Sequence, residues 1–463
     1  MRTERLKDKI RKLIGRILSV YRLKFIFFGY AFLILFGAVL LCLPISSRSG
    51  EFTPFLDALF TATTSTCVTG LVVYDTFSHW SVFGQIIILC LIQIGGLSFM
   101  VVATLFSLLI RRTVTLKERM LIVESLSQNN IQGIVRMTRD ILTITLIIEA
   151  AGALLLWPNF TKEFGVWNAL GKSVFHSVSA FCNAGLDLMG ESSPFSSLTG
   201  YYNNVMVNLV ISVLIIIGGL GFAVWQDIRH NRKFRWTHLS LHSKIVLSVT
   251  GILLVAGTGF LFISEYHNTE IMGNMTIGEK LLASWFQSVS TRTAGFNTID
   301  LGKMTVPGKL ISMLLMFIGG SPGSTAGGLK TVTLGVLTAT IISVLRGNRD
   351  ATVFRRRIST ALIMRAVTVL FLSITVCIIG AMLLSVFNPE FTFIEICYEV
   401  ISAFATVGQT LGITPSLAAG SKVTLIILML LGRVGILTAL LAFTMRMNRE
   451  GMNFTYPEEK IMM

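Results

Sequence analysis

The sequence is short of charge. Only 14% of its 463 residues are Asp, Glu, Lys or Arg, whereas a soluble domain has about 25%. In place of charge it has 53% hydrophobic residues and a mean hydropathy of +0.73. A chain with this composition cannot hide its apolar surface from water. This excludes a water-soluble enzyme, a secreted disulfide scaffold and a disordered chain, and it predicts an integral membrane protein.

Residues that carry catalysis, metal binding or disulfides are also scarce. The six cysteines form no CxxC motif and lie in or beside apolar sequence, so we expect buried thiols and no zinc site. No HExxH, GxxxxGK[ST] or Ser/His/Asp grouping is present. The sequence therefore predicts no enzymatic activity and no cofactor held by this chain.

Eight stretches are long and apolar enough to cross a bilayer, which takes about 20 residues. They are Phe25–Ser47, Ser81–Ile110, Ile141–Trp157, Val205–Gln226, Ile245–Ser264, Val306–Leu345, Ala366–Pro389 and Val423–Met445. Four shorter amphipathic segments lie between the members of successive pairs, at Pro54–Thr66, Trp167–Phe181, Ile277–Thr291 and Phe391–Phe404. At about a dozen residues each, they have re-entrant rather than spanning length.

The distribution of charge predicts the orientation of these spans. With an even number of spans, both termini lie on one side, and the segments on that side hold 29 of the 39 Lys and Arg but 10 of the 24 Asp and Glu. The excess of Lys and Arg identifies it as the cytoplasmic side. The net charge of +15 therefore needs no nucleic-acid partner, although the basic N-terminus is suited to anionic lipid.

A fourfold repeat organises the chain. Each short segment is followed by a glycine, and these glycines, Gly70, Gly185, Gly295 and Gly408, are spaced by about 110–115 positions along the numbered sequence. Further glycine marks follow in the same order at IQIGGLSF, IIIGGLGF, MFIGGSPG and LLGRVGIL. We predict an all-α membrane protein with four units of span, half-helix, glycine loop and span around one central pore. The units are 25–130, 131–229, 239–346 and 357–447, flanked by cytoplasmic segments 1–24 and 448–463.

The glycine loops have the properties of an ion filter. Four loops around one axis can replace hydration water with backbone carbonyls, and glycine permits the close approach that this needs. The alternative is that the glycines only allow tight helix packing, which suits the second glycine marks well. The candidate filter residues are Thr66, Cys67, Val68, Thr69, Gly70, Cys182, Asn183, Ala184, Gly185, Arg292, Thr293, Ala294, Gly295, Ala405, Thr406, Val407 and Gly408.

At these motifs the sequence resembles the Trk/Ktr/HKT superfamily of K⁺ and Na⁺ translocating proteins. TCVTGL, SAFCNAGLD, STRTAGFNT, GGSPGSTAGGLKT and GRVG occur in the family order, and the single span before the first filter segment resembles the shorter, Ktr-like form. The resemblance implies a K⁺ uptake subunit of the bacterial plasma membrane, homodimeric, resting on a ring of KtrA-like RCK regulatory subunits that bind ATP, ADP or NAD. It also implies stimulation by Na⁺.

Several alternatives stay open. Glycine at all four filter positions goes with K⁺ preference in this family, but a Na⁺-permeable protein or cation-coupled symporter of the same superfamily is a second possibility. A secondary transporter of an organic solute belongs to another class, which usually has inverted repeats. A membrane-embedded enzyme lacks visible machinery here.

The sixth predicted span contains a glycine-rich interruption from Gly319 to Thr333. Glycine and proline disfavour helix, and irregular backbone inside a membrane must line a cavity or lie within protein. The resemblance implies a gate below the filter; the alternative is a passive kink. The candidate gate residues are Gly319, Gly320, Ser321, Pro322, Gly323, Ser324, Thr325, Ala326, Gly327, Gly328, Lys330 and Arg433.

Arg433 is the only charge in the eighth predicted span. An arginine at membrane depth needs a cavity or a partner. We expect a pore-facing barrier or an anchor for the gate; the alternative is an ion pair with Glu149. His176 is expected to be packed or to face the surface rather than to act as a ligand.

Overall fold

The computed structural model describes residues 24–98, 101, 116–125, 133–191, 193–231, 235–348 and 350–444. The predictions for the basic N-terminus before Lys24, for the C-terminal part of the second span and for the tail 448–463 concern residues outside this description.

Helices dominate the described chain and follow one another in four groups. The first group contains α1 (Lys24–Cys42), α2 (Phe55–Cys67), α3 (Thr76–His79) and α4 (Val82–Gly96). After α5 (Leu116–Ser125), the second contains α6 (Ile134–Phe164), α7 (Val166–Cys182), α8 (Val205–Leu220) and α9 (Phe222–His230). The third contains α10 (Leu241–Glu265), α11 (Thr269–Met272), α12 (Ile277–Ser290), α13 (Val306–Phe317) and α14 (Thr331–Leu345). The fourth contains α15 (Thr360–Phe387), α16 (Phe393–Ala405), α17 (Ala419–Val434) and α18 (Ile436–Thr444).

Short turns and one hairpin connect these helices. Strand β1 (Thr352–Val353) pairs antiparallel with β2 (Arg356–Arg357) between α14 and α15. Single 3₁₀ turns lie at Pro44–Ser46, Thr199–Tyr201, Trp236–His238, Leu301–Lys303 and Thr414–Ser416.

The four short helices α2, α7, α12 and α16 lie within two residues of the predicted re-entrant segments. Two of them begin with a capping box, in which Thr276 pairs with Glu279 and Thr392 with Glu395. A Thr-x-x-Glu sequence satisfies two backbone donors at a helix start. These caps fix where α12 and α16 begin.

Four helices among the described residues are long and apolar enough to cross a membrane: α1, α6, α10 and α15. The other four predicted spans are not single straight helices. The predicted span 205–226 bends by 92° between α8 and α9, and the predicted span 423–445 breaks between α17 and α18. Gly221 and Gly435 stand at these breaks with φ of +93° and +90°, a conformation that cannot continue a right-handed helix.

The remaining two predicted spans are interrupted within the described residues. Helix α4 ends at Gly96 and is followed by Ser98 with φ of +73°. The stretch from Val306 to Leu345 is split into α13 and α14 by an irregular segment, as its glycines and proline predicted.

Burial separates the helices into an inner and an outer set. The C-terminal halves of the short helices are buried, with Phe60, Phe181 and Phe286 each 0% exposed. Helix α15, in contrast, buries only Ala366, Ser373, Gly380 and Leu384. Many of its other apolar side chains, such as Phe371, Met382 and Val386, are exposed, as expected of a surface in contact with lipid.

Candidate ion pathway and gate

The four filter glycines meet. A Cβ built on Gly70 would lie 3.2 Å from the Gly185 Cα and 3.3 Å from the Gly408 Cα. A Cβ built on Gly295 would lie 2.9 Å from the Gly185 Cα and 3.5 Å from the Gly408 Cα. Segments more than 300 residues apart thus approach backbone to backbone, and any larger residue would push the loops apart.

Each glycine contacts the loop of the next unit along the chain, and the glycine of the fourth loop contacts the first loop. The nearest atom to the built Cβ of each glycine is the carbonyl oxygen that precedes the glycine of a neighbouring loop. These pairs are Gly70 with Ala184, Gly185 with Ala294, Gly295 with Val407, and Gly408 with Thr69. One carbonyl oxygen from each loop therefore lies at a junction between two loops.

All four loops share an unusual backbone. The residue two positions before each glycine is left-handed, with φ of 57° at Val68, 60° at Asn183, 68° at Thr293 and 52° at Thr406. This conformation is uncommon for non-glycine residues and a genuine outlier for β-branched ones such as valine and threonine. Strain of this kind concentrates at functional sites. The repetition in four loops indicates a common structural requirement.

Hydroxyl groups of the short helices hold the loops in place. Thr64 Oγ1 accepts from the Gly70 N–H at 2.9 Å, and Ser402 Oγ accepts from the Gly408 N–H at 3.1 Å. In the other two loops the hydroxyl instead donates to the carbonyl after the glycine, from Ser179 Oγ to Leu186 at 2.7 Å and from Ser290 Oγ to Phe296. The serine and threonine residues before the loops thus orient the backbone.

The second glycine marks pack against the ends of the short helices. There is no room for a Cβ between Gly95 and the Thr66 carbonyl, Gly218 and the Phe181 carbonyl, or Gly432 and the Phe404 carbonyl. Tight helix packing, which we considered as an alternative role for the glycines, therefore applies to Gly95, Gly218 and Gly432.

The irregular segment between α13 and α14, which we call the gate loop (residues 318–330), lies against the filter loops. Thr325 Oγ1 is 3.3 Å from Asn183 Oδ1 and 3.3 Å from the Phe181 carbonyl. A Cβ built on Gly328 would lie 3.2 Å from Ala405 Cβ. The loop is thus within contact distance of the second and fourth filter loops.

Backbone hydrogen bonds order the gate loop. The Ser321 N–H donates to Gly219 at 3.1 Å, and the Phe222 N–H donates to Gly323 at 2.9 Å. The break between α8 and α9 therefore supplies the groups that hold the gate loop, which explains why that predicted span bends.

Two cationic side chains satisfy carbonyls of this region. Arg433 donates to the carbonyls of Thr325, Gly95 and Gly96, the last at 3.0 Å. Lys330 Nζ donates to Ala326 at 2.7 Å and Gly327 at 3.3 Å. Both residues border a cavity of about 130 Å³.

Glu149 has other partners. Gln93 Nε2 donates to its carboxylate at 3.1 Å, and the Cys182 Sγ lies 3.9 Å from its other oxygen. Within the described chain no ion pair joins Glu149 to Arg433, so the geometry favours Arg433 as an anchor of the gate loop.

His176 is buried, which is one of the two placements that the sequence left open. Its Nδ1 donates to the Lys172 carbonyl at 2.7 Å, and its Nε2 accepts from the Leu188 N–H at 3.4 Å. Both ring nitrogens have protein partners, which describes a packed histidine.

Sequence analysis missed three polar contacts near the loops. Gln287 pairs with Gln409, Lys172 pairs with Glu191 at 2.9 Å, and Lys422 pairs with Asp57 at 2.7 Å. One signal was available in the repeat, since Asp57 and Lys172 each stand 13 positions before a filter glycine. The partners could not be found, because they lie on other units or in irregular segments.

Asp187 lies two residues beyond the second filter glycine. The net effect of its surroundings is to raise the pKa of its carboxyl group to about 6: burial raises it most, the bond from the Met189 N–H at 3.0 Å lowers it, and the nearby Asp75 carboxylate raises it by a smaller amount. This places a titrating carboxyl group beside the second loop.

Hydropathy, helical architecture and four converging loops define a membrane transport protein rather than an enzyme. Comparison with protein families identifies which one: the TrkH family model, described as a cation transport protein, matches residues 34–456. The chain belongs to this family, as its motifs predicted.

Relatives extend along the whole chain. It is 42% identical to the potassium/sodium uptake protein NtpJ of Enterococcus hirae, with 99% of each chain covered. It is 40% identical to the Ktr system potassium uptake protein B of Bacillus subtilis, with 94% of each covered. The fold resembles the potassium transporter TrkH from Vibrio parahaemolyticus, with a TM-score of 0.70, 17% identity, and 90% and 84% of the two chains covered.

Proposed function

We propose that this protein takes up K⁺ across the bacterial plasma membrane through a filter formed by the four glycine loops. The observation that carries the proposal is the convergence of Gly70, Gly185, Gly295 and Gly408 with one carbonyl oxygen at each junction. Carbonyl oxygens can replace the hydration shell of K⁺. The carboxyl ends of the four short helices contribute partial negative charge beside the loops.

The names of the relatives support this cargo. The Bacillus subtilis relative is a potassium uptake protein of a Ktr system. A system with a B component also supports our proposal that a homodimer of this chain rests on a cytoplasmic KtrA-like ring that binds the nucleotide, with both termini of this chain inside. The gate loop would then respond to that ring.

The second candidate is a protein that also carries Na⁺. The name of the Enterococcus hirae relative, a potassium/sodium uptake protein, favours it. The two candidates differ in the K⁺/Na⁺ preference of the purified protein.

The first test is K⁺ uptake in a bacterium without its own K⁺ transport, at limiting K⁺, with and without a KtrA-type partner. We expect uptake that the partner increases. Failure to restore growth with confirmed membrane expression would contradict the proposal.

The filter is tested by a matched pair of glycine substitutions. Gly70 and Gly412 have φ of +100° and +99°, but only Gly70 has backbone from other loops within 4 Å of a built Cβ. Gly70→Ser should lower K⁺ affinity or raise Na⁺ permeation, whereas Gly412→Ser, which introduces similar backbone strain, should alter neither. Equal effects of the two substitutions would count against the filter.

A further inference from the structure

A buried amide pair joins the third short helix, α12, to the residue that follows the fourth filter glycine. Gln287 Nε2 donates to Gln409 Oε1 at 3.0 Å, and Gln409 Nε2 is 3.3 Å from Gln287 Oε1. Gln287 and Gln409 are each 1% exposed. Each amide donates one hydrogen bond to the other. Both bonds keep good geometry only while the distance between the two side chains stays nearly constant.

Two further contacts attach the pair to the loops. Gln409 directly follows the filter glycine Gly408, and its Nε2 lies 3.5 Å from the carbonyl of Phe296, which directly follows Gly295. The hydroxyl of Tyr398, a fully buried residue, donates to Gln409 Oε1 at 3.1 Å. The pair therefore bridges the first residues beyond both glycines.

In the part of the chain that the structure describes, no other unit has a reciprocal amide pair at the equivalent positions, although the second and third loops are joined by the Asn183 amide, which donates to the Arg292 carbonyl at 3.4 Å. The positions equivalent to Gln409 are Leu71, Leu186 and Phe296, and all three are buried apolar residues. The positions equivalent to Tyr398 are Phe60, Phe175 and Trp285, so the repeat keeps an aromatic ring there and a hydroxyl is present only in the fourth unit.

The third short helix ends differently from the other three. In the other three units the short helix ends three residues before the glycine and closes with two tight backbone bonds, for example from Thr406 to Ala403 and from Val407 to Ser402. Helix α12 ends earlier, at Ser290, and the turn that follows is held by backbone bonds from Arg292 to Val289 at 3.1 Å and from Ala294 to Ser290 at 2.9 Å. The amide pair therefore involves the one short helix that ends in a different way.

We propose that Gln287, Gln409 and Tyr398 form an amide clamp that fixes the spacing of the third and fourth loops and thereby the preference for K⁺ over Na⁺. The inference rests on the proposed filter. None of the three side chains needs to touch the ion; they are positioning residues. A smaller ion is favoured when the carbonyls of these two loops are free to move closer together.

The main test uses Gln409→Met in purified protein reconstituted in vesicles, with Na⁺ competing against K⁺. Methionine has a similar shape but cannot bond to Phe296, Gln287 or Tyr398. We expect the K⁺/Na⁺ preference to fall by roughly tenfold, the factor associated with about one buried hydrogen bond. Tyr398→Phe, which removes only the hydroxyl group, should lower it less.

The control is Gln85→Met. The Gln85 amide donates to the Trp80 carbonyl at 3.0 Å, away from the four loops, so its loss should leave the preference unchanged. An equal fall in this variant would overturn the proposal.

A double variant separates positioning from stability. Replacing Gln287 and Gln409 together by methionine removes both amides, so neither is left buried without its partner. Thermal stability should then recover toward that of the wild type, while the K⁺/Na⁺ preference stays low. Recovery of both would indicate a purely structural role and overturn the clamp. If Gln409→Met does not fold, the double variant and Tyr398→Phe decide the matter by the same measurement.

The outcome also distinguishes the clamp from the filter itself. If Gly70→Ser changes the preference and a folded Gln409→Met does not, the clamp alone is wrong. If neither changes it, the proposed filter is wrong and the clamp fails with it.

Discussion

At the residue scale, Asp187 shows how the surroundings of the loops alter ordinary chemistry. Burial, together with the Asp75 carboxylate, raises its pKa to about 6, from about 4 in an unfolded chain. Between these values the folded protein holds more protons than the unfolded one. The contribution of Asp187 to the free energy of unfolding therefore falls as the pH rises from about 4 to about 6. Above about pH 6 the full destabilisation by the buried carboxylate is present.

Asp187→Asn should remove this cost. We expect the purified variant to melt about 2–4 °C above the wild type at pH 7.5 and close to it at pH 4.5, where the wild-type carboxyl group is already protonated. The same substitution at the exposed carboxylate Glu51, as Glu51→Gln, should give no such pH-dependent gain. A gain of equal size at both pH values would contradict this explanation.

Single residues also show which features of the candidate site could be predicted from the sequence. Repeat spacing correctly indicated that Gly70, Gly185, Gly295 and Gly408 belong together, because glycine is a strong signal of close backbone approach. It gave no sign that Val68 and Thr406 are left-handed, since valine and threonine ordinarily avoid that region. Gln409 was equally invisible, because its partner lies 122 positions away.

At the scale of elements, helix starts were easier to predict than helix breaks. The short helices followed from their length and their amphipathic pattern, which are local signals. The bend between α8 and α9 depends on Gly221 and on hydrogen bonds to the gate loop, as in the bond from the Phe222 N–H to Gly323 at 2.9 Å. A uniformly apolar run hides such a bend, because hydropathy does not record which backbone groups leave the helix.

The gate loop gives the element-scale prediction. Deleting Ser324–Gly327 removes the Thr325 carbonyl that Arg433 binds and the Ala326 and Gly327 carbonyls that Lys330 binds. If this loop is the gate, the deletion removes an obstruction while all four filter loops keep their sequence, and K⁺ flux in vesicles should rise and depend less on a KtrA-type partner.

A passive kink predicts the opposite result. The deletion would then misalign α13 and α14 and lower flux or folding. Flux is compared at matched amounts of folded protein, with Thr325→Ala as the control that keeps the length of the loop. A well-folded deletion variant without increased flux would show that the loop is not the gate.

At the scale of the whole molecule, the fold depends on contacts that join the first group of helices to the last. Lys422 on α17 pairs with Asp57 on α2 at 2.7 Å, and the Tyr74 hydroxyl donates to the same carboxylate at 3.0 Å. The two charged side chains are only 13% and 11% exposed. This ion pair therefore joins the first group of helices, which contains α2, to the fourth group, which contains α17.

Breaking a largely buried pair from one side leaves a charge without a partner, which costs about 3–5 kcal/mol. Lys422→Met should therefore lower the stability of the purified protein strongly, and the double variant Asp57→Asn/Lys422→Met should recover most of the loss, because no lone charge remains. The control is Lys303→Met, which removes the partner of Asp300 in a pair that is more than half exposed and 3.5 Å long; exposed pairs contribute only about 0–1 kcal/mol. Thermal unfolding of all four proteins completes the comparison. Two outcomes would contradict this explanation: Lys422→Met destabilises the protein no more than Lys303→Met, or the double variant is as unstable as Lys422→Met. Either would show that the first and last groups of helices are held together by apolar packing between α2 and α17 and not by this ion pair.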